Sequence, residues 1–183
     1  MSWGNRPGVL SLLAVLFLAA VFSLPSQARA DIFERVGSTY GVSPQLLRAI
    51  AQVESSFQPY AIGIRRIDGR PGAGEIRRLL GRVPLAEGPK WLGVFPYTFS
   101  QAQRLVSYLE QGGVSFDVGL CQLNNSTLRA YGLSPASVLK PEHNLAWAAY
   151  HLARLFARHG YGWEAVWRYN GRRDYAWKVR RYL

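Results

Sequence analysis

The run Ser43-Pro44 followed by Leu46, Leu47, Ile50 and Val53 constrains the fold more than any other part of the sequence. A serine at this point caps a helix by accepting from its first free N–H groups. Proline suits the first helical position because its missing N–H would have had no partner there. The apolar spacing then lays one stripe along a helix that reaches about Glu54. The same punctuation recurs downstream. Thr98 or Ser100 precedes a helix carrying Ala102, Leu105, Val106 and Leu109, which Gly112-Gly113 ends. Pro141 opens the longest periodic stretch, His143 to His159, with Leu145, Ala149, Leu152 and Phe156 on one stripe. Shorter helices are expected from Asp31 to near Gly41, around Ser126 to Tyr131, from Trp163 to Tyr169 and from Asp174 to Tyr182. No alternating strand pattern of any length occurs, so the expected fold is a single, mainly α domain. Residues 63–97 are the exception. Their Arg, Gly and Pro texture reads as an irregular or hairpin insertion with one turn of helix around Glu75 to Leu80.

The first thirty residues read as an address. Arg6 gives a positive start, Val9 to Leu24 is almost unbroken in apolar residues, and Ala28-Arg29-Ala30 closes the segment. This is the layout of a secretory signal cut after Ala30. An uncleaved anchor is the alternative, against which the apolar run is short for a bilayer that needs about 20 helical residues. Domains are therefore expected at 1–30 (signal) and 31–183 (folded), with export to the periplasm and membrane contact only through an uncleaved leader.

The chain has 183 residues with 22 Lys+Arg against 11 Asp+Glu. Arg6 and Arg29 fall in the leader, leaving a net charge of +9 on residues 31–183. That balance suits an anionic partner or a solvated basic face. The arginines match no DNA-binding motif, so no nucleic acid is expected. One cysteine, Cys121, three scattered histidines and no Gly-rich phosphate loop imply no metal and no organic cofactor. The arginines of 63–97 and of the tail from Arg172 to Arg181 are expected to contact anionic wall polymer or a component of a secretion machine.

Glu54 is the candidate for the chemistry. At about 100° per residue it falls between Ile50 and Leu47 in the apolar arc, opposite Arg48 and Gln52. A carboxylate at the carboxyl end of a helix has no dipole support, and desolvation raises its pKa. A carboxylic acid kept neutral in an apolar cleft can protonate the leaving oxygen of a glycosidic bond. The wheel alone leaves open a buried strut paired with an arginine.

Ala51-Gln-Val-Glu54-Ser55-Ser-Phe57-x-Pro59-x-Ala61 resembles the Glu-Ser motif of the soluble lytic transglycosylases, lysozyme-like enzymes that cut peptidoglycan. Asp117-Val-Gly119-Leu-Cys-Gln122-Leu-Asn124 resembles their Gly-Leu-Met-Gln motif, with Cys121 in place of Met. Asn144 with Ala148-Ala-Tyr-His-Leu152 resembles the following helix, and Trp167-Arg-Tyr169-Asn170-Gly171 their Ala-Tyr-Asn motif, with Trp-Arg in place of small residues. The ordered motifs cover 44–183. The 65-residue step from Glu54 to Gly119 resembles the small members that accompany type IV secretion and conjugation machines.

The resemblance implies a lysozyme-like fold in which Glu54 acts as general acid on the bond between N-acetylmuramic acid and N-acetylglucosamine. Glu54 then acts as base on the muramic 6-hydroxyl, giving a 1,6-anhydro product. It implies that Gln122 and Asn124 line the sugar cleft, that Tyr169 and Asn170 hydrogen-bond Glu54 or the substrate, and that Ser55 braces the acid helix at the substrate site. It implies peptidoglycan strands as partner, the wall being opened locally for the machine. Asp117 is expected as a loop cap, with a water-activating base in an inverting lysozyme as the alternative. Two readings from other classes stand beside these. Cys121 with His143 or His151 would make a cysteine hydrolase, and a basic domain without turnover would only bind. The aromatics Trp163, Trp167, Tyr169, Tyr175 and Trp177 suit sugar stacking or a core.

Overall fold

Helices α1 (Ile32–Tyr40) and α2 (Pro44–Ser55) open the folded part of the chain. The structure, a computed structural model, describes residues 31–183, and the signal expected over 1–30 lies outside the described residues. Ser43 caps α2 by accepting from the Leu46 N–H, with Pro44 at its first position. The remaining helices are α3 (Ala73–Leu80), α4 (Phe99–Gln111), α5 (Asn125–Ala130), α6 (Pro141–His159), α7 (Trp163–Asn170) and α8 (Tyr175–Arg180). Thr98 caps α4 and Gln101 reaches back to the Thr98 N–H, so two orphan donors are satisfied reciprocally. The expected mainly α architecture and each expected helix are present. Among the described residues no helix is long and apolar enough to cross a membrane.

The sheet is the departure. Five short strands, β1 (Ile62–Arg65), β2 (Leu85–Gly88), β3 (Trp91–Val94), β4 (Phe116–Val118) and β5 (Leu123–Asn124), pair antiparallel in the order β2-β3-β1-β4-β5. Strands of two to four residues are too short for a period of two to register in sequence. The ladder itself holds them. Its inner face packs Ile62, Ile64, Leu92, Val94, Phe116 and Val118 into the core, while Gly63, Arg65, Trp91 and Asp117 occupy the outer face. The insertion is thus hairpin β2–β3 plus α3, whose Leu80 and Ile76 are also buried.

Leu47, Ile50 and Ala51 leave α2 buried on nearly all sides, making it the central helix. Helix α6 packs against α1 and α7 with Leu145, Ala149 and Leu152 fully covered. Its one buried polar residue, Asn144, is fully enclosed and donates to the carbonyls of Val118 and Val138, while its Oδ1 accepts from the Cys121 N–H. Gly119 lies against that amide with φ +78°, and a Cβ there would collide with Asn144 Nδ2. Only glycine fits both the left-handed turn and the close approach.

Replacing Asn144 by Ala leaves three buried backbone groups of the 118–138 region without partners. The expected cost is on the order of 3 kcal/mol. In thermal unfolding this is a fall in Tm of roughly 6–12 °C for a domain of this size.

Candidate active site

Glu54 sits on the last turn of α2, where Ser56 and Phe57 follow at φ +51° and +61°. Non-glycine residues hold the left-handed region at a cost of about 1 kcal/mol or more each. Two in succession turn the chain sharply off the helix end. The carboxyl opens into a cavity of about 470 Å³ walled by Val53, Pro84, Phe95 and Tyr97.

The Glu54 carboxyl is raised from its usual 4.5 to about 7. Burial is the main cause, and the charge of Asp117 adds to it. Tyr175, Asn170 and Lys178 work in the other direction by favouring the ionised form. Asn170 Nδ2 donates to Glu54 Oε1 at 3.4 Å. The Tyr175 hydroxyl is buried near the Glu54 carboxyl, whose ionised form it favours, and makes no hydrogen bond of ordinary geometry among the described residues. The group is therefore a neutral acid below about pH 7 and half-ionised near it, with two donors placed to receive its conjugate base. The strut reading from the sequence does not hold, since no arginine pairs with Glu54 among the described residues.

The other expected site residues gather around the turn from Val118 to Gln122. Ser55, on the turn after Glu54, donates its hydroxyl to the carbonyls of Ala51 and Leu120, at 3.2 and 2.7 Å, and so ties the acid helix to that turn. Gln122, itself at φ +48°, donates to the carbonyls of Ala61 and Gly119, and its Oε1 lies over Gly63. Asn124 donates to Asp117 Oδ1 at 2.8 Å and caps α5 by accepting from Ser126. Tyr169 reaches the Cys121 carbonyl at 2.9 Å, and Tyr175 rather than Tyr169 faces Glu54. Asn170 alone of the five forms a hydrogen bond with the carboxyl.

Asp117 lies within β4, and its carboxyl accepts from the Asn124 side chain instead of capping the following N–H groups. Burial raises its pKa, while Asn124 and Arg65 lower it. The Cys121 thiol is fully buried, and burial together with the Glu54 charge pushes it far above the range of a reactive thiolate. That removes the cysteine-hydrolase reading. Among the described residues no group of three or more His, Cys, Asp or Glu gathers as a metal site would require.

Three residues of the site escape a reading of the sequence for catalysis. Tyr175 is one aromatic among many in the tail, and only the fold of α8 against α2 brings it to Glu54. Phe95 and Tyr97 continue an alternation that starts at Trp91 and Gly93, a signal hidden by the glycine and by Pro96.

Because the folded-state pKa of Glu54 exceeds the unfolded value, the native state keeps a proton that the unfolded chain has released between pH 4.5 and 7. Stability from this group falls as pH rises through that window. Glu54→Gln, a permanent neutral mimic, is expected to gain on the order of 2 kcal/mol at pH 8 and almost nothing at pH 4. Paired thermal unfolding of the two proteins at both pH values checks this.

Residues 31–182 match the family model described as the transglycosylase SLT domain. The chain is 34% identical over 104 residues to the type IV secretion system protein virB1 of Brucella abortus biovar 1 and to that of Brucella suis biovar 1, covering 57% of this chain and 34% of each relative. It is 27% identical over 145 residues to the X polypeptide of Escherichia coli, covering 77% of this chain and 59% of that protein. The match thus spans about a third of the virB1 proteins and somewhat over half of the X polypeptide. No solved structure matches the chain significantly.

Proposed function

The chain belongs to the transglycosylase SLT family, whose fold is mainly α and lysozyme-like, and from that premise we propose that it is a peptidoglycan lytic transglycosylase with Glu54 as its catalytic acid and base. The observation that carries the proposal is the carboxyl of Glu54, held neutral up to about pH 7 at the mouth of an aromatic-walled cavity. In the first step Glu54 donates its proton to the glycosidic oxygen as the bond from the muramic anomeric carbon breaks. The substrate's N-acetyl group shares the developing charge, so the step needs no second carboxylate. The Glu54 carboxylate then takes the proton of the muramic 6-hydroxyl, whose oxygen bonds to the anomeric carbon. No water enters, and the acid is restored.

Asn170 and Tyr175 serve the carboxylate stage, since each favours the ionised form of Glu54. Ser55 and Tyr169 are positioning residues that hold the 118–122 turn against the acid helix. Gln122 and Asn124 border the glycan. Residues 31–183 form the catalytic unit, delivered to the periplasm by the segment 1–30. The likeness to the virB1 proteins, named for type IV secretion, supports local opening of the wall for such a machine. A hydrolytic reading has one observation in its favour, the half-buried Asp117 carboxylate whose charge reaches Glu54.

Digestion of isolated murein, with the soluble fragments analysed by mass, tests the proposal. Anhydro-terminated fragments are expected, and fragments heavier by one water would establish hydrolysis. Glu54→Gln is expected to lower release at least a hundredfold. Tyr175→Phe is expected to lower it about tenfold, the loss of one hydrogen bond to a charged group. Activity should decline as pH rises through about 7, where the acid form is lost. Asp117→Asn retains anhydro products under transglycosylation and is inactive under hydrolysis.

A further inference from the structure

The outer face of the sheet continues the cavity of Glu54 away from the acid. Phe95, which walls that cavity, follows β3 directly, and its N–H bonds to the Pro84 carbonyl so that the ladder runs on past Val94. Four residues back along the same face, about 13 Å of strand, stands Trp91. Its indole lies over the hairpin: a Cβ on the cross-strand partner Gly88 would collide with Trp91 Nε1, and one on Gly93 would meet Cζ3 at 3.4 Å. The ring is held by its underside and is still 49% exposed. A rigid, half-exposed indole on a strand is a stacking plate for a flat, partly apolar ring such as a pyranose.

Directly opposite Trp91, across β3 and β1, is Arg65. Beyond Arg65 lies a second cavity of about 470 Å³, lined by Arg65, Arg70, Gln111 and Ser115 and, on its far wall, by Glu75 with Tyr108. Both arginines are exposed, and among the described residues neither guanidinium makes an ion pair or a hydrogen bond. The acids nearby act on these arginines through charge alone, Asp117 on Arg65 and Glu75 on Arg70, and take their hydrogen bonds from other groups. Asp117 accepts from Asn124, Glu75 is bonded by the Tyr108 hydroxyl and the Gly72 N–H, and Glu87 is paired with Arg66 at 3.0 Å. Two guanidiniums with unused forks, lining one cavity at the edge of a stacking plate, suit a carboxylate.

We propose that Trp91 with the Arg65–Arg70 cavity is a distal recognition site, in which a sugar ring stacks on Trp91 and the arginines bind a carboxylate of the peptide stem attached to that strand. This assignment rests on the glycan-cleaving reading of Glu54, and it gives the basic insertion a substrate role: it reads the anionic stem peptide and sets the strand in the Glu54 cleft. Free glycan without stem carboxylates would lack half of the contact.

The chain carrying Glu54→Gln, which cannot consume its ligand, is pelleted with intact sacculi and with sacculi whose stem carboxylates are blocked as neutral amides by carbodiimide and ethanolamine. Binding is expected to be about tenfold tighter to the intact material, the worth of one charge-assisted hydrogen-bonded contact. Adding Arg65→Gln and Arg70→Gln should erase that preference, and Trp91→Ala should weaken binding to both materials. Arg77→Gln with Arg82→Gln removes the same charge elsewhere in the insertion and should leave the preference in place. A preference that survives Arg65→Gln/Arg70→Gln, or that Arg77→Gln/Arg82→Gln erases equally, overturns the proposal. So does loss of binding to phosphatidylglycerol vesicles with sacculus binding intact in Arg65→Gln/Arg70→Gln, which would assign the arginines to a membrane. Absence of fragment release by the unmodified chain, with carboxylate-dependent binding retained, would overturn the catalytic reading alone.

Discussion

Three helices meet on one backbone turn, and the site exists because they do. Asn144 of α6 holds Val118 and Cys121 through their backbone groups, Ser55 of α2 bonds to Leu120, and Tyr169 of α7 bonds to Cys121. Every one of these bonds is made by a side chain to main chain, so each fixes position without depending on the identity of residue 118, 120 or 121. Buried amide and carbonyl groups without such partners would cost about 1–3 kcal/mol apiece. The turn is therefore rigid, and the acid helix, the sheet and the two C-terminal helices are registered to it and through it to one another.

That rigidity lets an uncharged carboxylic acid persist beside a second acidic group. The carboxyl end of a helix is an unfavourable place for negative charge, and Asp117 makes it more so. The fold keeps Glu54 in place through Ser55, one residue on, and through the left-handed pair Ser56 and Phe57. The strain of that pair, together with Gln122 at φ +48°, is concentrated within the site. Asn170 and Tyr175 moderate the burial, so the proton is held at a pKa near neutrality instead of being locked on.

The insertion gives the cleft its reach. Without β2 and β3 the sheet would end at β1, and neither Phe95 nor Trp91 would have a strand to stand on. The aromatics of the tail divide differently from those of the insertion. Tyr175 turns inward to Glu54, whereas Trp163 and Trp177 remain exposed, with Arg180 lying over the Trp177 ring. Cation–π contacts of that kind, at exposed positions, are worth about 0.5–1 kcal/mol. They order the surface of α7 and α8 behind the residues that face the acid.

Helix positions were legible because caps, prolines and three-and-four spacing are local, and a local rule needs no tertiary partner to act. Glu54 was legible for the same reason: a carboxylate inside an apolar arc contradicts its own helix. Strands of two to four residues carry too few side chains to show a period, so the sheet came only from the pairing of segments as far apart as Ile62 and Val118. Tyr175 could not be told from the other tail aromatics until α8 folded onto α2, and Trp91 became a plate only where Gly88 arrived beneath it. By itself the sequence determined which residues lie in helices and which carboxylate is under electrostatic stress. The tertiary structure alone decided which groups face that carboxylate, because burial, pKa and hydrogen bonding belong to neighbours in space that lie scores of residues apart along the chain.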